Sequence, residues 1–265
     1  MSDTRIPLAG VIGSPVAHSL SPRLHNHWLK RYALPGHYIP MDIAQDDLED
    51  ALRTLPKLGF RGVNVTIPHK VKALSISDVV SDRAALIGAA NTLTFQPDAK
   101  IYADNTDGYG FIESLRHGAP AWRAPDGPAA VIGAGGAARA VLTALLGAGV
   151  PAIRLTNRTR ARSEALAAEF GARIKVFDWV QAGNTIDGAS LVVNTTSLGM
   201  AGKPQFRIPV DALEPGMTVT DLVYVPLQTP LLKSAHAAGS TVVDGLGMLL
   251  HQGAPGFERW FGHTP

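Results

Sequence analysis

Residues 129–138, AAVIGAGGAA, set a four-residue apolar run directly against a glycine-rich turn and the start of a helical pattern. Gly133, Gly135 and Ala138 fit the spacing G-x-G-x-x-[GA], and Gly136 and Ala137 keep the turn free of bulk. Small residues there let backbone N–H groups approach a pyrophosphate, and the helix N-terminus that follows favours its negative charge. The position between a strand and a helix raises this motif above a chance match; the alternative is a tight strand–helix turn with no ligand. Downstream the alternation continues. Strands are expected at 152–156, 173–177, 189–194, 217–223 and 241–243, with helices at 136–146, 160–170 and 230–238. With the strand at 129–132 these make six, the number of a doubly wound dinucleotide domain.

The second strand refines the cofactor. A site for NAD would carry Asp or Glu about 20 residues after the glycines, on the ribose hydroxyls. This chain has Asn157, Arg158 and Thr159 there, with Arg162 one turn on. A carboxylate would repel a 2′-phosphate, whereas guanidinium groups hydrogen-bond it bidentately. The expected cofactor is therefore NADP(H). A merely solvated basic helix start is the weaker alternative, because cations at a helix N-terminus are unfavourable without an anion.

Upstream, strands are expected at 8–12, 37–43, 62–67 and 91–95, with helices at 21–33 and 45–58. Ser21 and Pro22 read as an N-cap and a first-turn proline. Strands alternating with helices indicate α/β architecture with a largely parallel sheet. The stretch 117–128, HGAPAWRAPDGP, breaks the rhythm and reads as a loop or linker.

Composition sets the outer limits. The chain has 265 residues, 46% hydrophobic and 17% charged, with a net charge of 24 − 22 = +2. That excludes a disordered chain, a collagen-like repeat and a strongly basic nucleic-acid arm. The absence of cysteine excludes disulfides, thiolate nucleophiles and Cys-based metal sites. No leader-like segment is visible in MSDTRIPLAG, and the longest nearly uncharged apolar stretch, 140–153, is shorter than the ~18 residues of a membrane span. These features point to a soluble, cytoplasmic protein with no nucleic-acid or membrane partner; whether it is monomer or homodimer is not written in them. His18, His25 and His27 cluster in sequence, but His25 and His27 are two apart and diverge on a helix, so they read as structural or surface groups and no metal is expected.

Polar clusters in the first 110 residues carry the remaining signal. They are GSPVAHSLSP (13–22), NVTIPHK (64–70), Asn91-Thr92 and NTDG (105–108), all at loop or element-end positions where functional groups concentrate. Together with GAANTL, GAGGAARA, NRTRAR, NTTSLGM, DLVYVPLQTPLL and GLGMLLHQ, in this order, they closely resemble the shikimate dehydrogenase family over essentially the whole chain. The resemblance implies NADP-dependent reduction of 3-dehydroshikimate to shikimate, in aromatic amino acid biosynthesis. It implies a substrate-binding domain at 1–106, completed by 244–265 including a returning C-terminal helix, and a Rossmann NADP-binding domain at 107–243. By motif position, Lys70 and Asp107 match the catalytic pair. Ser19 and Ser21 match the serines on the substrate carboxylate, with Tyr224 near it, and Thr66, Asn91 and Gln252 match residues that hold the ring hydroxyls. Gly133, Gly135, Gly136 and Ala137 match the phosphate turn; Asn157, Arg158, Thr159 and Arg162 match the 2′-phosphate site. Thr195, Thr196, Leu198, Gly199 and Met200, with Val223, Gly245 and Met248, resemble the nicotinamide pocket. Val225 departs from the asparagine common after the tyrosine, which bears on a local backbone contact.

The chemistry of these residues agrees. A ketone accepting hydride develops alkoxide character and needs a nearby cation or proton donor. Lys70 can supply both, and Asp107 can orient it and stabilise the ammonium form. A paralogue acting on quinate or an amino-substituted analogue is the nearest alternative. A redox sensor that holds NADP(H) without turnover is the alternative from another class.

Overall fold

The computed structural model describes residues 6–265. Residues 1–5, part of the stretch read for a leader, lie outside the described residues. The chain divides into two compact α/β units, Met1–Asp107 with Gln252–Pro265, and Gly108–His251.

The first unit is built on β1 (Leu8–Gly13), β2 (His37–Asp42), β3 (Phe60–Val65), β4 (Val79–Val80), β5 (Thr92–Phe95) and β6 (Ile101–Asp104), in the order β2-β1-β3-β5-β6-β4. Its helices before the boundary are α1 (Ser21–Arg31), α2 (Leu48–Thr54), α3 (Lys70–Ile76) and α4 (Asp82–Ile87). Its pairings are parallel except at one strand: β5 runs antiparallel to both β3 and β6. The β5/β6 pair is antiparallel because a short hairpin joins them, closed by Gln96 N–H donating to the Lys100 carbonyl at 2.9 Å, which leaves no room for a crossover helix. One sheet face packs Ile12, Val63, Leu93 and Ala103 into a core with Leu48 and Leu52 of α2. The other packs Ala9, Val11 and Tyr38 with Trp260.

The second unit carries the helix α5 (Asp107–Gly118) from its second residue on, then β7 (Ala129–Ile132), α6 (Gly136–Ala148), β8 (Ile153–Thr156), α7 (Arg160–Phe170), β9 (Ile174–Phe177), β10 (Leu191–Asn194), β11 (Thr218–Asp221), α8 (Pro230–Ala237), β12 (Thr241–Val243) and the first seven residues of α9 (Gly245–Phe261). The all-parallel order β12-β11-β10-β7-β8-β9 is the doubly wound arrangement. Ala129 and Val131 enter one core with Leu142 and Leu155, while Ala130 and Ile132 enter another with Val192 and Val219. Burial on both faces explains why this strand is apolar at every position instead of alternating.

The stretch 117–128 is, after the end of α5, a loop with one 3-10 turn at Ala124–Asp126, and it separates no units. Two expectations are corrected. The unit boundary falls after Asp107, and 244–251 group with the second unit, so only the part of α9 from Gln252 onward belongs to the first. Ser21 is the first residue of α1, not its cap; the Ser19 hydroxyl accepts the Ser21 N–H at 3.3 Å instead.

Candidate active site

Strand polarity gathers the polar clusters of the first unit at one sheet edge. β1 and β3 are parallel with Ile12 opposite Val65, so the loops that follow them leave side by side. β5 is antiparallel and begins there, with Thr92 opposite both Asn64 and Asp104, and β6 ends there. The four segments GSPVAHSLSP, TIPHK, Asn91 and Asn105-Thr106-Asp107 therefore share an edge.

Lys70 opens α3 and Asp107 opens α5. A cation at a helix N-terminus is unfavourable and a carboxylate there favourable. The Lys70 ammonium is held by Asp107, donating to Oδ2, with side chains only 13% and 5% exposed. Asp107 Oδ1 accepts the Asn91 amide at 2.8 Å. That amide also reaches Gln252 Oε1 and Thr106 Oγ1, each at 3.0 Å. Thr106 returns a hydroxyl bond to the Gln252 carbonyl at 2.8 Å, and its N–H donates to Asn91 Oδ1 at 2.8 Å. Asn91, Thr106, Asp107 and Gln252 are all buried. The result is a fixed polar floor in which one cation has one anionic partner.

Ser19, Ser21 and Thr66 sit on the adjacent loops. Ser14 N–H donates to the Ile67 carbonyl at 3.1 Å and Thr66 N–H to the Ile12 carbonyl at 2.8 Å, which joins the two loops. Among the described residues no bond between these three side chains and the Lys70–Asp107 pair is present. They neighbour the pair without belonging to its network.

Sequence reasoning missed several supports. Asn64 Nδ2 donates to the Asn91 carbonyl at 3.1 Å and to Thr92 Oγ1 at 3.2 Å, while its Oδ1 accepts the Tyr38 hydroxyl at 2.7 Å. Asn64 was quoted inside a motif, but Tyr38 carried no local signal. His69 is fully buried and bonded to the Ile43 carbonyl at 2.8 Å, a supporting role.

In the second unit the two motif glycines differ in cause. Gly133 has φ +111°, and a Cβ there would lie 2.5 Å from Thr195 Oγ1. Gly135 is extended at φ −99° and caps α6, and a Cβ there would meet no protein atom within 4 Å. Packing does not require glycine at 135: the space above it, at the N-terminus of α6, is open. Asn157 is tied down, its Oδ1 accepting Ala134 N–H at 3.3 Å and its Nδ2 donating to the Thr159 carbonyl at 2.9 Å. Arg160 is engaged by Glu164 at 2.7 Å and Asp178 at 2.6 Å. Arg158 and Arg162 are exposed and have no acidic partner among the described residues. Thr159 caps α7 without a side-chain hydrogen bond. These residues fit a phosphate-bearing dinucleotide.

The loop 195–200 is half-buried and built on Asn194. Asn194 Oδ1 accepts both N–H and Oγ1 of Thr196, and Thr196 Oγ1 accepts the Leu198 N–H at 3.0 Å. Asn194 Nδ2 donates to Asp221 Oδ1 at 2.9 Å, and Val223 N–H donates to the same oxygen at 3.0 Å. Burial pushes the Asp221 carboxyl above its ordinary range, against the pull of Val223, Thr229 and Asn194. Gly199 has φ +84°. Tyr224, Gly245 and Met248 all lie in the second unit. A Cβ on Gly245 would lie 2.5 Å from the Leu222 carbonyl oxygen, so close backbone approach explains that glycine. Met248 is part of the apolar core. The Val225 carbonyl accepts Ala201 N–H at 2.9 Å, a backbone tie independent of the side chain. Among the described residues no group of three or more metal-ligating side chains occurs, and no helix is long and apolar enough to cross a membrane.

Fold and nucleotide cradle together define a two-domain α/β dehydrogenase that uses a phosphorylated dinucleotide. Three family descriptions match: "Shikimate dehydrogenase substrate binding domain" over 11–93, "Shikimate / quinate 5-dehydrogenase" over 124–206, and "Shikimate 5'-dehydrogenase C-terminal domain" over 245–265. A shikimate dehydrogenase (NADP(+)) from Cereibacter sphaeroides is 67% identical over 262 residues, covering 99% of this chain and 94% of the relative. A shikimate 5-dehydrogenase from Thermus thermophilus, solved with NADP(H) and shikimate, aligns with TM-score 0.86 at 40% identity over 98% of this chain and 95% of that one. A quinate dehydrogenase from Corynebacterium glutamicum, solved with NAD, aligns with TM-score 0.90 at 30% identity over 98% and 95%. The chain belongs to the shikimate dehydrogenase family.

Proposed function

We propose that this protein catalyses the reversible NADPH-dependent reduction of 3-dehydroshikimate to shikimate, with Lys70 and Asp107 as its catalytic pair. The buried ion pair on the Asn91–Thr106–Gln252 floor carries this assignment. Bound NADPH supplies a hydride equivalent to the ketone carbon. As that bond forms, the carbonyl π pair moves to oxygen, which takes up a proton. The Lys70 ammonium stabilises the developing charge, and the Lys70–Asp107 pair provides the proton. Thr66, Asn91 and Gln252 hold ring hydroxyls; Ser19, Ser21 and Tyr224 hold the carboxylate. Gly133, Gly135, Gly136 and Ala137 cradle the pyrophosphate. Asn157, Arg158, Thr159 and Arg162 hold the 2′-phosphate, and the loop 195–200 with Val223, Gly245 and Met248 borders the nicotinamide. The first unit is the substrate domain and the second the NADP domain. The protein works in the cytoplasm, as monomer or homodimer.

The test is NADPH oxidation with 3-dehydroshikimate, repeated with NADH, and the reverse assay with shikimate or quinate. Turnover is expected to favour NADPH over NADH and shikimate over quinate. Equal use of both cofactors would defeat the NADP assignment, and preference for quinate would favour the paralogue, which the fold match to a quinate dehydrogenase keeps as the second reading.

A further inference from the structure

The carboxylate of Asp104, three residues before Asp107, is entirely buried at the end of β6. Its Oδ1 accepts the Ser81 hydroxyl at 2.8 Å, Arg83 Nε at 2.5 Å and the Asn105 N–H at 2.8 Å. Its Oδ2 accepts a second bond from Arg83 and one from Arg259 at 2.5 Å. Five donors saturate a carboxylate, which offers only about four lone-pair sites. The bidentate arginine geometry fixes direction as well as distance.

Each tether leads to a residue of the polar floor. Ser81 caps α4 by accepting the Ala84 N–H at 3.2 Å, and α4 with Arg83 runs through Gly88 to Asn91. The Asp104 carbonyl accepts the Asn91 N–H at 3.1 Å. Asn105, held by Asp104 Oδ1, donates to the Ala89 carbonyl at 2.8 Å and accepts the Asp107 N–H at 3.0 Å. Arg259 lies seven residues, two helical turns, beyond Gln252 on α9. The segments bearing Asn91, Asp107 and Gln252 converge on this single side chain. Trp260 adds a neighbouring anchor, donating to the Leu93 carbonyl at 3.1 Å.

We propose that Asp104 is a positioning residue for the reaction: through Arg83, Arg259 and Asn105 it sets the mutual placement of Asn91, Asp107 and Gln252. It touches no reacting atom. The proposal rests on the functional assignment above. A carboxamide at 104 keeps the volume but loses the charge that holds two guanidinium groups. Misplacement of reacting groups by about 1 Å costs about 10²-fold in rate.

The experiment compares Asp104→Asn and the milder Arg259→Gln with the parent protein. NADPH titration by fluorescence counts molecules with a folded second unit, parent-like hydrogen exchange across β1 and β2 certifies a folded first unit, and kinetics with 3-dehydroshikimate are expressed per NADPH-binding molecule. We expect kcat/KM to fall about 10²-fold in Asp104→Asn, and Arg259→Gln to raise KM more than it lowers kcat, while the NADPH Kd stays within about twofold of the parent. Hydrogen–deuterium exchange should rise selectively at 88–94, 104–108 and 250–256, leaving 129–200 unchanged. If Asp104→Asn does not fold, Arg259→Gln decides alone. Parent-like kcat and KM per NADPH-binding molecule in the folded variants overturn the proposal, whatever the loss of stability. A parent protein without turnover defeats the functional assignment instead. The exchange pattern then judges the tether, and unchanged exchange in the three segments overturns it.

Discussion

Lys70 occupies a place that local energetics disfavours. It is the first residue of a seven-residue helix, at the end where positive charge is repelled, and its side chain is largely removed from water. Asp107 offsets both costs by pairing with the ammonium in a contact largely removed from water. An arrangement that is locally unfavourable but globally supported marks a functional position. Lys70→Ala should leave a folded protein whose kcat is lowered about 10²- to 10⁴-fold, the usual weight of a general acid, with a small change in KM. Steady-state kinetics decide between roles: a large rise in KM with kcat preserved would make Lys70 a binding group.

At the scale of the element, the phosphate turn separates two demands on glycine. Gly133 is imposed by backbone and packing, Gly135 by space left open above α6. Gly135→Ala should therefore change stability by less than about 1 kcal/mol, yet weaken NADPH binding at least about tenfold, because the new methyl group intrudes where the pyrophosphate must lie. Gly133→Ala should destabilise the unit outright, having both the positive φ and the clash with Thr195. A fluorescence titration paired with a thermal melt separates these outcomes; a Gly135→Ala protein that binds NADPH like the parent would leave the glycine without a ligand-based cause. The turn was legible because a parallel strand buried on both faces is written as an unbroken apolar run, and β7, buried at every position, carries the bounds its pattern predicts. The first unit was harder to read. β4 has two residues and α4 six, too short for any periodicity, and α4 is set mainly by its Ser81 cap and left-handed Gly88. The polar clusters could be quoted as functional from their loop positions. Their mutual bonds could not, since Asn91 meets Gln252 across 161 residues and Asp104 meets Arg259 across 155.

Across the whole molecule, net charge of +2 says little, because the charges that matter are local and paired or aimed. Stability should instead respond to pH through one buried ring. His25 is fully buried, stacked on Tyr38 at 4.0 Å between ring centroids and flanked by Trp28, Phe257 and Trp260. Neither ring nitrogen has a hydrogen-bond partner among the described residues, and burial lowers its pKa to about 3. An unfolded histidine titrates near about 6.5. Between those values the unfolded chain binds the proton and the native state does not, so stability falls as pH falls through this window. From pH 7.5 to pH 5 the loss amounts to about 2 kcal/mol, from 1.36 kcal/mol per pKa unit. Asp104 does not interfere there. Burial opposes its ionisation, but Arg83, Ser81 and Arg259 outweigh that and hold it well below the carboxylate range, so its contribution is lost only in stronger acid. Asp221, raised by burial, has the opposite sign and is cancelled by comparing variants. His25→Phe keeps an aromatic ring in the stack and cannot take a proton. Urea unfolding of the first unit, followed by tryptophan emission at both pH values, should show the parent losing about 2 kcal/mol more than the variant. Equal losses in the two proteins would mean that the imidazole is reached by protons in the native state, contrary to its enclosure.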